Sequence, residues 1–377
     1  MIFSSFSRVK KFILAVCTLS GATVGVGIFS LPYIASRAGL GLLLAYFLIL
    51  GLIIIATHYF FGKVALSSPD NLRLPGYAKL YLGNWGRFFA FAAVVFGFFG
   101  TLLAYLIVGG EFLANLLSPF FGGSVLFYTL LYFLAGAALI FFDIKAVSQI
   151  ELLGLVLFFG VLITIFFRGL PFWNLENLLA SGGNLSLYFF LPYGPILFSL
   201  WGADLIPEAE EMLGKDKHLL SKVIISSILV SSLVYLFFVF SILGLTGALT
   251  TPEAISGLGG VFGNGVLSLA FLFGVITTFT SFIALGLTLK KTLWYDFKIP
   301  KNLSFLVAVF IPFLLFLLGF KDFIKVIGLV GGIALGIEGI LILLMCRKIS
   351  PRKSFLILPL FLILLIGIIY EILYFAK

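Results

Sequence analysis

A glycine-rich stretch in the first hydrophobic segment, from Gly21 to Tyr33, could offer polar backbone groups to a ligand. Its centre holds Gly25 and Gly27, and Pro32 follows; glycine weakens a helix by about 1 kcal/mol relative to alanine, and proline by about 3 kcal/mol. Where a helix breaks, N–H and C=O groups lose their partners, and the half-helix after the break starts with a partial positive charge. That end suits a carboxylate and the freed carbonyls suit an ammonium group or a metal cation. Together they suit an amino acid zwitterion.

A second interruption lies in the sixth hydrophobic segment, where Gly202 and Asp204 stand at mid-depth and Pro207 follows. Broken backbone at membrane depth is tolerated only where it is buried in protein or lines an aqueous cavity. Paired breaks in corresponding positions of two halves indicate the binding site of an inverted-repeat transporter. The alternative is that these glycines only permit close helix packing, as small residues often do in membranes.

Ionisable side chains inside apolar segments are a third feature, because such residues are costly in a bilayer and usually functional. Asp204 and Glu208 flank the second break, and Glu338 lies within the tenth segment, so these three are candidate proton carriers. Glu208 has an alternative role in the first turn of the half-helix after the break, where a negative charge is favourable. His58 and Glu111 are expected nearer the membrane surfaces, where contact with water explains them.

The composition of the chain requires a membrane as solvent. Of its 377 residues, 62% are hydrophobic and 10% are charged, with a mean hydropathy of +1.24, whereas a soluble domain has about 25% charged residues. The net charge of +9 does not indicate nucleic-acid binding, because Lys and Arg lie in short loops between apolar segments. Cys17 and Cys346 form no metal-binding or disulfide pattern, and no HExxH, GxSxG or nucleotide-binding motif points to an enzyme.

Eleven apolar segments are long enough to cross a bilayer, which takes about 20 residues per helix. These spans 1–11 cover roughly residues 11–35, 39–63, 88–117, 123–142, 146–168, 187–212, 219–247, 262–289, 303–319, 322–346 and 354–375. With a cytoplasmic N-terminus, most of the 24 Lys and Arg residues fall on the inner side, as the positive-inside rule requires. We therefore expect a multi-pass protein of the cell membrane with its C-terminus outside.

Motifs along much of the chain carry a family resemblance. They are Gly25–Tyr33 with Ala38-Gly39 in span 1, Tyr77–Arg87 before span 3, Ala104–Glu111 in span 3, and Phe198–Glu208, Glu210–Met212 and Leu220–Ile224 around spans 6 and 7. As a set they resemble the amino acid/auxin permease family of the amino acid–polyamine–organocation superfamily, which shares the LeuT-type fold. Spans 9–11 match in hydropathy only.

The resemblance implies one all-α transmembrane domain, residues 1–377, with a 5+5 inverted repeat broken in spans 1 and 6. Residues 11–168 would form the first repeat, residues 187–346 the second, and residues 354–375 one additional helix. It also implies uptake of amino acids, driven by sodium or protons, by alternating access between a bundle and a scaffold.

In such transporters the substrate lies between the two breaks. Carried over by position, the substrate-binding residues would be Thr23, Gly25, Val26, Gly27, Tyr105, Ser199, Leu200, Trp201, Gly202 and Ala203. The amides of Val26 and Gly27 would face the substrate carboxylate, and the carbonyls near Ser199 and Leu200 its amine. Trp201 would border the substrate side chain and Tyr105 would bond the carboxylate, with ordinary packing as the alternative for both.

Span 8 contains Thr277, Thr280 and Ser281, a spacing that puts a backbone oxygen and two hydroxyls on one helical face. With the Gly21 and Val24 carbonyls they would offer five oxygens to a small hard cation, which resembles the sodium site widely used in this fold. Some proton-coupled relatives place a lysine from span 5 there, and span 5 has none in its interior. This favours sodium, and the alternative is that the hydroxyls bond only to their own helix.

These features predict a secondary active transporter that moves amino acids by ion-coupled symport, with sodium preferred over protons. The expected partners are an amino acid and the lipid bilayer, without nucleic acid. No cofactor is expected, and no metal beyond a sodium ion. The alternative is a receptor of the same fold that binds an amino acid without transporting it.

Overall fold

Span 1 is broken at its glycines. In the structure, a computed structural model that describes residues 2–69, 72–143, 159–350 and 354–375, helix α1 (Ile2–Thr23) is followed by a 3₁₀ turn (Val26–Ser30) and helix α2 (Leu31–Ala38). The two parts of the span are bent by 52°. Gly25 at the break is extended (φ −127°, ψ −156°), and Pro32 occupies the first turn of α2, where its missing N–H leaves no bond unmade.

Four helices complete the first half: α3 (Leu40–Leu66), α4 (Leu74–Phe121), α5 (Val125–Phe141) and α6 (Phe159–Phe172). At 48 residues, α4 would measure about 72 Å if straight, well above the roughly 30 Å of a hydrocarbon core. Gly83 interrupts it at φ 80° and ψ −161°, a conformation that is essentially restricted to glycine. Most of predicted span 5, residues 146–158, lies outside the described residues.

Span 6 is the second broken helix. After the short helices α7 (Leu175–Leu179) and α8 (Leu185–Tyr188), helix α9 (Tyr193–Leu200) ends at Trp201 and Gly202. A 3₁₀ turn (Ala203–Leu205) then leads into α10 (Ile206–Leu213), which carries Pro207 in its first turn. The break therefore falls where the sequence predicts it.

The remaining helices are α11 (Leu220–Thr246), α12 (Asn264–Lys291), α13 (Lys301–Leu317), α14 (Phe323–Leu329), α15 (Gly336–Ile349) and α16 (Ser354–Phe375). A π-helical turn (Val330–Leu335) joins α14 to α15, so predicted span 10 is one helix with a local widening. Such insertions are frequent at functional sites.

The described residues are helical and contain no strand, which confirms an all-α membrane fold. Within the described residues, six helical stretches are long and apolar enough to cross a membrane, or seven with the bent span 1, and α5, α6 and α13 are shorter apolar helices. One of the six, Tyr193–Leu249, joins α9, α10 and α11, and so includes most of predicted span 6 and all of predicted span 7. The count of eleven spans stays a prediction.

The interior of the molecule is organised around α4, which packs against α12, α5 and α15, while α1 packs against α10 and α11. α9 lies against the π turn of span 10. Large apolar side chains on α3, α5 and α16 face outward, among them Leu48, Leu134 and Leu358. An apolar surface of this kind is suited to lipid.

Candidate functional site

The two helix breaks meet in the centre of the molecule. A Cβ atom added to Gly27 would collide with Ser199 Oγ and would lie 3.2 Å from the Ser199 Cα atom. The 3₁₀ turn of span 1 therefore lies directly against the end of α9, and only glycine permits that approach. Gly202 is packed as closely, because its added Cβ would lie 2.7 Å from Thr23 Oγ1.

Tyr235 of α11 links the two breaks. Its hydroxyl lies 2.6 Å from the carbonyl oxygen of Thr23, at the end of α1, and 2.7 Å from that of Ser199, near the end of α9. The side chain is fully buried, and its single proton can be donated fully to only one carbonyl at a time. Tyr235 is not among the site residues that the sequence predicts. The signal was a tyrosine inside an apolar span, since a buried tyrosine hydroxyl usually needs a partner.

Tyr105 of α4 lies at the break of span 1. Its hydroxyl accepts a hydrogen bond from the Val26 amide at 3.3 Å, and a Cβ on Gly25 would lie 2.9 Å from it. The predicted neighbourhood of Tyr105, Gly25 and Val26 is therefore present. The Val26 amide is one of the groups that the break removes from the helix ladder.

The break of span 6 is held by polar side chains from two other helices. The Gly202 amide donates to His58 Nε2 of α3 at 3.0 Å, so the proton of a neutral His58 is placed on Nδ1. The His58 ring packs edge-on against Trp201, with ring centroids 4.9 Å apart, and the Trp201 indole donates to Glu338 Oε2 at 3.0 Å. His58 and Glu338 are each 1% exposed.

The expectation that contact with water explains His58 is therefore wrong, because the side chain is buried in the protein. The sequence offered only a lone histidine in an apolar helix, and its contact with Gly202 spans 144 positions. Glu338, a predicted proton carrier, is tied to the break through Trp201. It lies in the first turn of α15, after the π turn.

Ser199 Oγ is buried and, among the described residues, has no hydrogen-bond partner. An unsatisfied buried hydroxyl is costly, by about 1–3 kcal/mol, and such groups in native proteins call for an explanation. Leu200 and Ala203 on either side of the break are buried, whereas Gly25 and Gly202 are partly accessible. A ligand polar group placed between the breaks would satisfy Ser199.

The other two predicted proton carriers differ from each other. Asp204 is exposed as a residue, although Ala203 and Ile206 beside it are buried. Glu208 forms an ion pair with Arg73 of α4 at 3.2 Å and lies in the first turn of α10. Its position there matches its alternative role beside a helix N-terminus.

The predicted ion ligands of span 8 donate within their own helix. Thr277 Oγ1 donates to the Phe273 carbonyl at 3.0 Å and Thr280 Oγ1 to the Thr277 carbonyl at 3.1 Å; Ser281 is half-buried. On α1, Gly21 faces open space and the Val24 amide still bonds to the Ser20 carbonyl. α12 packs mainly on α4, α5 and α13, whereas α1 packs mainly on α10 and α11. The predicted ion ligands of span 8 and those of span 1 therefore lie on helices that are not main packing partners of each other.

Residues 8–375 match the sequence profile of the tryptophan/tyrosine permease family. The resemblance to the amino acid/auxin permease family is not confirmed at the family level. No curated protein matches the chain.

Two solved transporter structures share the fold. MhsT in complex with L-phenylalanine has a TM-score of 0.64 at 17% identity, over 96% of this chain and 97% of that one. The inward-facing conformation of Mhp1 has a TM-score of 0.63 at 16% identity, over 91% of this chain and 77% of that one. These similarities establish the LeuT-type transporter fold.

Proposed function

The chain belongs to the tryptophan/tyrosine permease family, and from this we propose that it is a secondary active transporter of aromatic amino acids in the cell membrane, with tryptophan and tyrosine as substrates. The observation that carries the proposal is the meeting of two broken helices, joined by the Tyr235 hydroxyl at Thr23 and Ser199. Such a junction brings close together amides and carbonyls that have no partners within their own helices.

The substrate is proposed to bind with its carboxylate at the Val26 and Gly27 amides and its ammonium group at the carbonyls of Ser199 and Leu200. The Tyr105 hydroxyl, which accepts from Val26 in the structure, would then turn its proton toward the carboxylate. The Ser199 hydroxyl, which has no hydrogen-bond partner among the described residues, would gain one in a polar group of the substrate. Phe198, half-buried beside Gly27, and Trp201 supply apolar surface to an aromatic side chain.

Alternating access requires contacts that break when the inner side opens. Among the described residues, two ion pairs tie α10 and the turn after it to other segments, Arg8–Asp216 at 3.3 Å and Arg73–Glu208 at 3.2 Å. A further pair, Lys217–Glu210 at 2.8 Å, ties the turn to α10. The first connects α1 to the segment after α10, and the second connects the start of α4 to α10 itself. These pairs would hold the second half of span 6 while the substrate is enclosed.

The coupling ion is proposed to be sodium, held by the Gly21, Val24, Thr277, Thr280 and Ser281 oxygens, with protons as the alternative. The Thr277 and Thr280 hydroxyls keep lone pairs for a cation even though they donate within α12. For protons, the buried Glu338 carboxylate at Trp201 and the accessible Asp204 are the carriers that the contacts favour.

Uptake into proteoliposomes tests the function. Radiolabelled tryptophan, tyrosine and lysine are offered with a sodium gradient or a pH gradient imposed separately. We expect tryptophan and tyrosine to accumulate under the sodium gradient, while lysine does not. Accumulation of tryptophan and tyrosine under the pH gradient alone would show that the coupling ion is a proton and not sodium. Saturable tryptophan binding without accumulation under either gradient would support the receptor alternative.

A further inference from the structure

Helix α16 at the edge of the molecule contains one charged residue, Glu371. Much of this helix is exposed, including Phe355, Leu358 and Leu373, as expected for a helix in contact with lipid. Glu371 is only 5% exposed, so its side chain points into the protein. Neither the substrate site nor the proposed ion site uses it.

Glycines on α9 and span 10 make room for this carboxylate. A Cβ on Gly332 would collide with Glu371 Cγ, and a Cβ on Gly194 would lie 2.5 Å from Glu371 Oε1. A Cβ on Gly328 would lie 3.5 Å from Oε2. The Glu371 side chain therefore reaches past span 10 to the start of α9 through a slot that exists because these positions lack side chains.

Within the slot, the Glu371 carboxylate lies against the backbone at the start of α9, because its Oε1 atom would be 2.5 Å from a Cβ on Gly194. Gly194 is the second residue of α9, so its amide is one of those without a partner inside the helix. When Glu371 is ionised, its negative charge is attracted by the partial positive charge of the helix start.

No ion pair formed by the described residues includes Glu371. The titratable groups on the elements around it are Tyr193 on α9, Tyr46 on α3, Tyr370 and Tyr374 on α16, Asp322 and Lys325 on α14, and Glu338 on α15. The tyrosines are uncharged near neutral pH. Lys325 is exposed, Asp322 caps its own helix, and Glu338 bonds to Trp201.

We propose that Glu371 is a proton-binding residue whose charge controls how firmly α9, the first half of span 6, is docked against span 10. When it is ionised, Glu371 holds the start of α9 through Gly194. When it is protonated, this electrostatic attraction is lost and α9 is released. α9 has only eight residues, and it ends at Ser199 and Leu200, so a shift at its start moves the carbonyls of the substrate site. The transport consequence rests on the proposed function, whereas the docking itself does not.

Distances between spin labels test the docking directly. Labels are placed on cysteines introduced at Leu187, which precedes α9, and Leu318, which precedes α14; both positions are exposed. Cys17 and Cys346 are replaced beforehand. We expect the wild-type distances to lengthen from about pH 8 to about pH 5.5, the range in which buried carboxylates titrate. Glu371→Gln should show the longer distances at both pH values.

Glu211→Gln is the matched control, because Glu211 is an exposed carboxylate on α10, and it should keep the wild-type response. Should Glu371→Gln not fold, Glu371→Asp, whose shorter side chain withdraws from Gly194, must show the longer distances at both pH values. Wild-type distances that do not change with pH, or a Glu371→Gln variant that responds as wild type does, would overturn the proposal.

Equilibrium binding of tryptophan gives the second readout. We expect its affinity for the wild type to change by about fivefold or more over the same pH range, the usual size of coupling between two sites, and to be constant in Glu371→Gln. Absence of tryptophan binding together with pH-dependent distances would refute the transport function and leave the Glu371 proposal in place. Tryptophan uptake together with pH-independent distances would support the transport function and refute the Glu371 proposal.

Discussion

At the scale of single residues, one hydroxyl does most to hold the candidate site together. Tyr235 Oη lies within 2.7 Å of carbonyl oxygens from both broken helices. These carbonyls lie at helix ends that leave them without intrahelical partners, and the Tyr235 side chain that reaches them is fully buried. A buried carbonyl without a donor costs about 1–3 kcal/mol. The same hydroxyl therefore stabilises the fold and fixes the distance between the breaks.

Tyr235→Phe should lower the affinity for tryptophan by about tenfold or more, the equivalent of about 1.4 kcal/mol, and should lower the melting temperature. The reason is that the Thr23 and Ser199 carbonyls lose their shared donor while the packing of the ring is kept. Tryptophan binding and thermal unfolding in detergent measure both effects. Tyr295→Phe, which removes an exposed hydroxyl, is the control, and equal behaviour of the two variants would contradict the role of Tyr235.

At the scale of elements, α5 is anchored to α12 and α13 by a three-residue ion cluster. Lys290, buried at the end of α12, donates to the Ile140 and Phe141 carbonyls and to Asp143, at 2.9, 3.2 and 2.7 Å. Lys301 of α13 pairs with the other Asp143 oxygen at 2.6 Å. A cation at a helix C-terminus satisfies carbonyls that the helix leaves unpaired.

The cluster predicts a specific pH dependence of stability. Burial raises the pKa of Asp143, but the hydrogen bonds and charges of Lys290 and Lys301 outweigh it and hold the pKa below the ordinary 3.8. A carboxyl whose pKa is lowered by folding stabilises the protein fully above its unfolded pKa, and this stabilisation is lost as the pH falls through the lower folded-state value.

Asp143→Asn should therefore lower the free energy of unfolding by about 1–3 kcal/mol at pH 7. It should differ little from the wild type at an acidic pH below the lowered folded-state pKa, where Asp143 is protonated in both states. Asparagine accepts the positive φ of 53° at this position, so the backbone is unaffected. Thermal unfolding at both pH values measures the difference, with Glu211→Gln as the control. A deficit that is the same at both pH values would show that the charge is not responsible.

The elements show why part of the site could be predicted and part could not. Gly25, Gly27 and Gly202 identify the breaks because backbone preference is a local property of the chain. The neighbourhood of Tyr105 and Val26 followed from the family pattern. The contacts of Tyr235, His58 and Glu371 join positions far apart in the sequence, and the π turn of span 10 has no local signal stronger than its glycines.

At the scale of the whole molecule, hydropathy and charge predict an all-α membrane protein, and the structure confirms that class. Orientation follows from the distribution of Lys and Arg, which no contact in the structure tests. Eleven spans place the two termini on opposite sides of the membrane. A reporter enzyme that is active only outside should therefore be active when fused after Lys377 and inactive when fused before Met1. Activity at both ends would require an even number of spans.

The central claim is that substrate binds between the two breaks, and a matched pair of glycine variants tests it most directly. A Cβ at Gly27 would meet Ser199 and Phe198 between the breaks, whereas a Cβ at Gly51, a buried glycine of α3, meets nothing within 4 Å. Tryptophan binding and uptake are measured for Gly27→Ala and Gly51→Ala in proteoliposomes. We predict that Gly27→Ala lowers the affinity for tryptophan and the rate of tryptophan uptake by about tenfold or more, in line with the free energy of one lost polar contact. Gly51→Ala should keep wild-type values. Wild-type binding and uptake by Gly27→Ala would contradict the account.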